Sequence, residues 1–254
     1  MGYLAVDMSS WSGELTEKEA RDLKAYGVRK ILVNAWGPWT RQQLEMGQRV
    51  GLLLEAYTYQ YFTIAPAQRT LAALAAIQGF PVLRLWQDYE DDPAGLRPHE
   101  VVAHIRGAVA AAEGVIPQGI YSRRGWWQPC TGACREFMHL PSWVADYDYD
   151  PSMLTCSELV DGWRPTIKQY SDSVSLCGQT VCLNWVQEET MPTLEELEAA
   201  IAKERADREL GAVWLSAAIA YADAGAQAHK ADTLPHLDNA MLQRMDDAGL
   251  VPHK

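Results

Sequence analysis

The chain has 254 residues, 48% of them apolar and 22% charged, with a formal net charge of −11. That composition fits a globular chain with one large α/β domain or two small ones, and the length supports a sizeable core. The acidic balance excludes a nucleic-acid partner, which needs a basic face, and any affinity for an anionic polymer has to come from a cleft. No run of about 18 apolar residues is present to span a membrane.

The opening MGYLAVDMSS lacks a basic segment, a long apolar stretch and a small-residue cleavage site. It reads as the start of a chain made in the cytoplasm without a secretory leader, and Val6 argues against a myristoylation signal. The elements then follow in order. Tyr3–Val6 reads as a strand ending at Asp7. Thr16–Tyr26 reads as a helix opened by the capping box Thr16-x-x-Glu19. Lys30–Asn34 is a β-branched, apolar strand, Arg41–Val50 a helix and Leu52–Tyr57 a strand. Ala65–Ile77 is an Ala-rich helix with Pro66 in its first turn, and Val82–Glu90 is a strand. Pro98–Glu113 is a helix, and Gly119–Tyr121, Ser142–Ala145 and Thr166–Tyr170 are short strands. Repeated βα alternation implies a mostly parallel sheet with helices outside it. Seven or eight strands over about 190 residues favour a closed or nearly closed (β/α) barrel, TIM-like with irregular or incomplete closure. No Gly-rich phosphate loop follows the first strand, which disfavours an open doubly wound sheet.

From about Pro192 the pattern becomes helical only. Thr193–Glu196 is a second capping box, and Leu194, Leu197 and Ile201 recur at helical spacing. A last short helix covers Leu237–Ala248. The division expected is a barrel over 1–190 and a helical extension over 191–254, which packs on the barrel, docks on a partner or self-associates. Of the five cysteines, Cys130 and Cys134 have no second Cys/His pair at zinc spacing, so no structural zinc is expected. Cys177 and Cys182 flank the tetrapeptide GQTV, which reads as a hairpin turn that a disulfide can bridge, with free thiols the favoured reading.

Asp88-Tyr89-Glu90 is the most informative tripeptide. Residues i and i+2 of a strand share a face, so both carboxylates point into one space. Like charges so placed cannot both ionise cheaply, and one raised pKa is what a general acid requires. Asp7 ends another apolar strand and reaches the same mouth if the sheet closes. Taken alone, the run through Asp91 and Asp92 reads equally as a solvated acidic loop. Ten tryptophans, among them Trp11, Trp36, Trp39, Trp86, Trp126, Trp127 and Trp143, cluster near strand ends with many tyrosines. Singly each reads as core; as a group at strand ends they read as a cleft lining for sugar rings. Arg84 falls on the Asp88 face by alternation, and needs either a pleat irregularity or a salt bridge inside the barrel.

The ordered set of segments resembles glycoside hydrolase family 25, the Chalaropsis-type lysozymes. YLAVDMSSWSG resembles the family's first strand with its acidic residue at Asp7, and ILVNAWG its second. LLEAYTYQYF resembles the G-x-Y-H-Y-F segment, and PVLRLWQDYE the strand ending in D-x-E. QGIYSRRGWW resembles G-I-Y-T, LPSWVADY resembles L-W-x-A-x-Y, and IKQYS with VCLN resembles W-Q-Y-S…V-D-L-N. The match spans residues 3–186. It implies an N-acetylmuramidase cutting peptidoglycan glycan strands without metal or cofactor, in the manner of a phage endolysin acting at the bacterial cell wall. It further implies Glu90 as general acid/base, Asp88 as stabiliser of developing positive charge, and Asp7 as sugar binder or tuner of its neighbours. Tyr57, Tyr59, Tyr121, Trp143, Asp146 and Gln169 are the residues it assigns to substrate binding. One departure stands out: Cys182 replaces the aspartate of V-D-L-N. Loss of that charge is expected to lower the Glu90 pKa and move the pH optimum to the acid side, or to weaken activity. The alternatives are an inactive wall-binding component of a virion or secretion apparatus, and a hydrolase of a different glycan such as a chitin-like chain.

Overall fold

The structure, a computed structural model, describes residues 2–163 and 165–187. The expected helical extension lies outside the described residues. Within them the strands are β1 (Gly2–Met8), β2 (Val28–Asn34), β3 (Leu53–Tyr59), β4 (Val82–Asp88), β5 (Gln118–Ser122), β6 (Ser142–Ala145), β7 (Pro165–Leu176) and β8 (Gln179–Gln187). They pair in chain order and close into a barrel. The helices α1 (Glu17–Tyr26), α2 (Thr40–Val50), α3 (Pro66–Ile77), α4 (Pro98–Ala112) and α5 (Arg124–Thr131) follow β1 to β5.

The first seven strands run parallel, as βα alternation requires. β8 is antiparallel to both of its neighbours, β7 and β1. The closing strand is thus the far arm of a hairpin, and the mostly parallel sheet is irregular where it closes. Periodicity alone did not find β8, because QTVCLNWVQ has no strict apolar alternation. The segment GQTV is also not the turn. The turn is Cys177–Gly178, both at positive φ (51° and 85°), which joins twisted antiparallel strands without splaying them. Both Cys177 and Cys182 are free thiols.

Local signals explain the elements. Thr16 caps α1: its hydroxyl accepts from the Glu19 amide while the Glu19 carboxylate accepts from the Thr16 amide at 2.8 Å. Pro66 and Pro98 open α3 and α4 in first-turn positions where a missing N–H costs nothing. α5, which the apolar pattern did not reveal, covers RGWWQPCT and buries Trp126 and Trp127 under the barrel wall.

Inside the barrel, Tyr3, Ala5, Leu32, Tyr57, Trp86, Tyr121, Trp143, Ala145, Ile167 and Val186 form one cluster. Near its lower end Lys30 and Glu55, both buried, pair at 2.5 Å, and Trp86 donates its indole N–H to the other Glu55 oxygen. A buried pair keeps its place only when each lone pair has a partner, and the indole supplies one. The Arg84 question resolves as a pleat irregularity. Leu54 and Ala56 of β3 face Val82 and Leu85 of β4, so β4 carries an extra residue there. The Arg84 guanidinium lies over the Trp86 ring, 5.2 Å from its centroid.

Gly119 makes room for that ring: a Cβ there would meet Trp86 carbons at 2.3 and 2.4 Å. Gly119→Ala is therefore expected to destabilise the barrel by about 1–3 kcal/mol through overpacking. Denaturant unfolding of the two proteins checks this, and equal midpoints would contradict it.

Candidate active site

Asp7, Asp88 and Glu90 meet at the mouth formed by the C-terminal ends of the parallel strands. Asp7 comes from β1 and Asp88 is the last residue of β4. Strand β4 ends two residues earlier than its sequence pattern implied, so Glu90 sits just past it. The alternation nevertheless continues. Tyr89 turns outward into a buried cluster with Trp126 and Ile105, while Glu90 faces Tyr121, whose hydroxyl donates to it at 3.4 Å.

The three carboxylates have different surroundings. Asp7 is buried and its Oδ2 accepts from Gln169 Nε2 at 2.7 Å and Asn184 Nδ2 at 2.8 Å. Burial raises its pKa, opposed by those two bonds and by the Cys182 thiol. Asp88 is buried, and its Oδ1 has no hydrogen-bond partner among the described residues. Burial, then the charges of Glu90 and Asp7, push its pKa well up, while Arg69 pulls it down. Glu90 is open to solvent at the rim. The protein crowding its carboxylate raises its pKa, the Tyr121 hydroxyl and Arg123 pull it down, and Asp7 and Asp91 push it up. The site thus holds one fixed acceptor, one buried carboxyl with an unused oxygen, and one accessible carboxyl that retains a proton above the ordinary glutamate range.

The other residues assigned by resemblance divide into three groups. Tyr57, Tyr121 and Trp143 are buried and form the floor. The Tyr57 and Tyr121 rings meet Trp143 edge-on at 5.7 and 4.6 Å, and the Trp143 indole donates to Asn184 Oδ1 at 2.8 Å. Gln169 is fully engaged. Its amide nitrogen holds Asp7, and its oxygen accepts from Tyr121 at 2.7 Å and Tyr147 at 3.0 Å. Tyr59 is half-buried beside Tyr61. Asp146 does not face the mouth: it accepts from the Ser157 amide at 2.5 Å and clamps the loop after β6. Sequence reading missed Asn184 as a site residue. Its one signal, a polar residue in an apolar run, gains meaning only when β8 lies against β1.

The aromatic residues also divide. Trp86, Trp127 and Trp143 are packed in cores, while Trp11, Trp36, Trp39, Tyr61 and Tyr147 remain exposed. Cys182 stands opposite Asp7 in the β1–β8 register, where burial and Asp7 push its thiol pKa up. Cys182 thus acts directly on Asp7, while the Glu90 pKa lies above the usual value through burial.

No family profile matches the chain. A probable family 25 lysozyme 2 of Dictyostelium discoideum is 35% identical over 104 residues, which is 40% of this chain and 48% of that protein. The aligned part thus spans about half of that relative's length. A second lysozyme of the same organism, family 25 lysozyme 3, is 27% identical over 170 residues, 61% of this chain and 35% of its own. Among solved structures, a muramidase from Acremonium alcalophilum superposes with a TM-score of 0.63 at 23% identity, over 78% of this chain and 97% of that one. The catalytic domain of endolysin ply40 from bacteriophage P40 of Listeria monocytogenes gives 0.58 at 18%, again over 78% and 97%. These likenesses establish the barrel as one fold with theirs.

A buried carboxyl with a raised pKa favours the folded state below the usual aspartate value of 3.8, and that advantage is lost as pH rises through the raised value. Asp88→Asn is accordingly expected to stabilise the protein at neutral pH, by roughly 1–3 kcal/mol, with the gain vanishing in acid. Thermal unfolding of both proteins across pH measures this, and a pH-independent difference would refute the electrostatic cause.

Proposed function

We propose that the chain belongs to glycoside hydrolase family 25 and is an N-acetylmuramidase. It cleaves the β-1,4 bond between N-acetylmuramic acid and N-acetylglucosamine in peptidoglycan. The observation that carries the reading is the pairing of Asp88 with Glu90. One carboxyl is buried with an oxygen unused, and the other is solvent-facing and inclined to hold its proton. In this mechanism Glu90 donates its proton to the glycosidic oxygen as the bond to the anomeric carbon breaks. The positive charge that develops there is stabilised by Asp88. Water then adds to the anomeric carbon and returns a proton to Glu90. Asp7 is held by Gln169 and Asn184 beneath the pair, and its charge adds to the upward push that burial gives both carboxyls. The residues named are the chain's own, and the step needs no metal or cofactor. The setting we propose is the bacterial cell wall, as for a phage endolysin, in keeping with the endolysin domain that shares the fold.

Mass spectrometry of the products released from purified peptidoglycan tests the proposal. The parent is expected to yield fragments with muramic acid at the new reducing end, and Glu90→Gln to lose roughly 100- to 10,000-fold in rate. Release of N-acetylglucosamine ends instead would assign a different bond. No release, with the protein still pelleting with the wall, would make it a binding component.

The pH profile follows from the two raised pKa values. Activity needs Glu90 protonated, so its alkaline limb is expected above 4.5, the ordinary glutamate value. Cys182→Asp would add a carboxylate beside Asp7 and carry the limb further toward alkaline pH. A parent limb at or below 4.5 would contradict this reading.

A further inference from the structure

A second feature of the rim is not used by the chemistry above. Arg69, in the second turn of α3, is buried although its side chain is long and charged. Its Nε donates to the Tyr59 carbonyl at 2.8 Å. Its guanidinium lies 3.8 Å from the Trp36 ring centroid and 4.8 Å from that of Tyr61. Tyr61 in turn packs on Tyr59 at 4.8 Å, and Tyr59 is the register partner of Asp88. The contacts therefore run without a break from the reacting carboxyls to Trp36.

Trp36 is 48% exposed and Tyr61 40%, yet neither is loosely held. The Trp36 amide donates to Asn34 Oδ1 at 2.9 Å, and its ring rests on the guanidinium. Large aromatic side chains normally gain by burial, and ordering an exposed one costs entropy. A rigid, half-open indole beside a cleft is suited to the apolar C–H face of a pyranose ring. Arg69 orients the shelf and also supplies positive charge on an acidic rim, which reduces repulsion of an anionic glycan.

We propose that Trp36 and Tyr61, stacked on Arg69, form an additional subsite for sugar units of the same glycan strand beyond the pair being cleaved, so that the protein prefers long strands. This rests on the glycosidase reading, and the test separates the two. Peptide-free glycan oligomers, tetrasaccharide and octasaccharide, are compared with the parent, Trp36→Ala, Tyr61→Ala and Trp36→Tyr. For the octasaccharide, Trp36→Ala is expected to raise KM roughly three- to tenfold with kcat unchanged, as loss of one aromatic contact predicts. Tetrasaccharide hydrolysis stays as in the parent, Tyr61→Ala shows a smaller change of the same kind, and Trp36→Tyr recovers most of the loss. Equal effects on both lengths, no effect on either, or an effect only when stem peptides are present would overturn the subsite. Calorimetric binding of the octasaccharide is measured alongside. If the parent cleaves nothing but Trp36→Ala still weakens binding, the subsite stands and the hydrolase reading falls.

Discussion

The site depends on how the barrel closes. A (β/α) repeat that ran to the end would bring its last strand in parallel to β1. Here the chain reverses at Cys177–Gly178 and β8 enters antiparallel between β7 and β1. That reversal sets Ala5 against Asn184 and Asp7 against Cys182. It delivers Asn184 to Asp7 across 177 residues of sequence, and Gln169 on β7 reaches the same carboxylate across 162. These donors oppose the rise that burial gives the Asp7 pKa beneath the Asp88–Glu90 pair.

The barrel interior separates two kinds of polarity. Toward the N-terminal ends of the strands, Lys30, Glu55 and the Trp86 indole satisfy one another, so that end is neutral and packed. Toward the C-terminal ends, three acids share a space in which the amides of Gln169 and Asn184 are the nearest donors to Asp7. Tyr57, Tyr121 and Trp143 lie between the two and pack edge-on. The unused oxygen of Asp88 is the one buried, unsatisfied carboxylate oxygen of this arrangement among the described residues, a feature that is rare in cores and concentrates at functional sites.

Positioning and chemistry are divided among residues. Gln169 and Asn184 touch Asp7 and the tyrosines or Trp143, and they set geometry and charge. Asp146 fixes the loop that carries Tyr147 and Tyr149. At the rim, Glu90 and several aromatic side chains are the exposed groups. The same split explains the cysteine in the closing strand. A thiol opposite Asp7 can donate to it where an ionised aspartate could not.

Much was legible in the chain alone. Period-two and helical patterns located seven strands and four helices, because each buries one face against one neighbour and the code is local. The pairing of Asp88 with Glu90 was readable because strand alternation is local too. The resemblance of ordered segments to one family pointed to further residues, of which Tyr57, Tyr121, Trp143 and Gln169 pack around the mouth and Asp146 does not. Tertiary structure alone decided the direction of β8, the outward role of Asp146, the bulge that accommodates Arg84, and which tryptophans are core and which are rim. Each of these depends on a partner far away in sequence. An isolated strand does not encode which edge it will join, and a tryptophan does not encode whether a helix will cover it. Contact across the closed barrel settles both, and with them which carboxyl is buried and which remains open to a substrate.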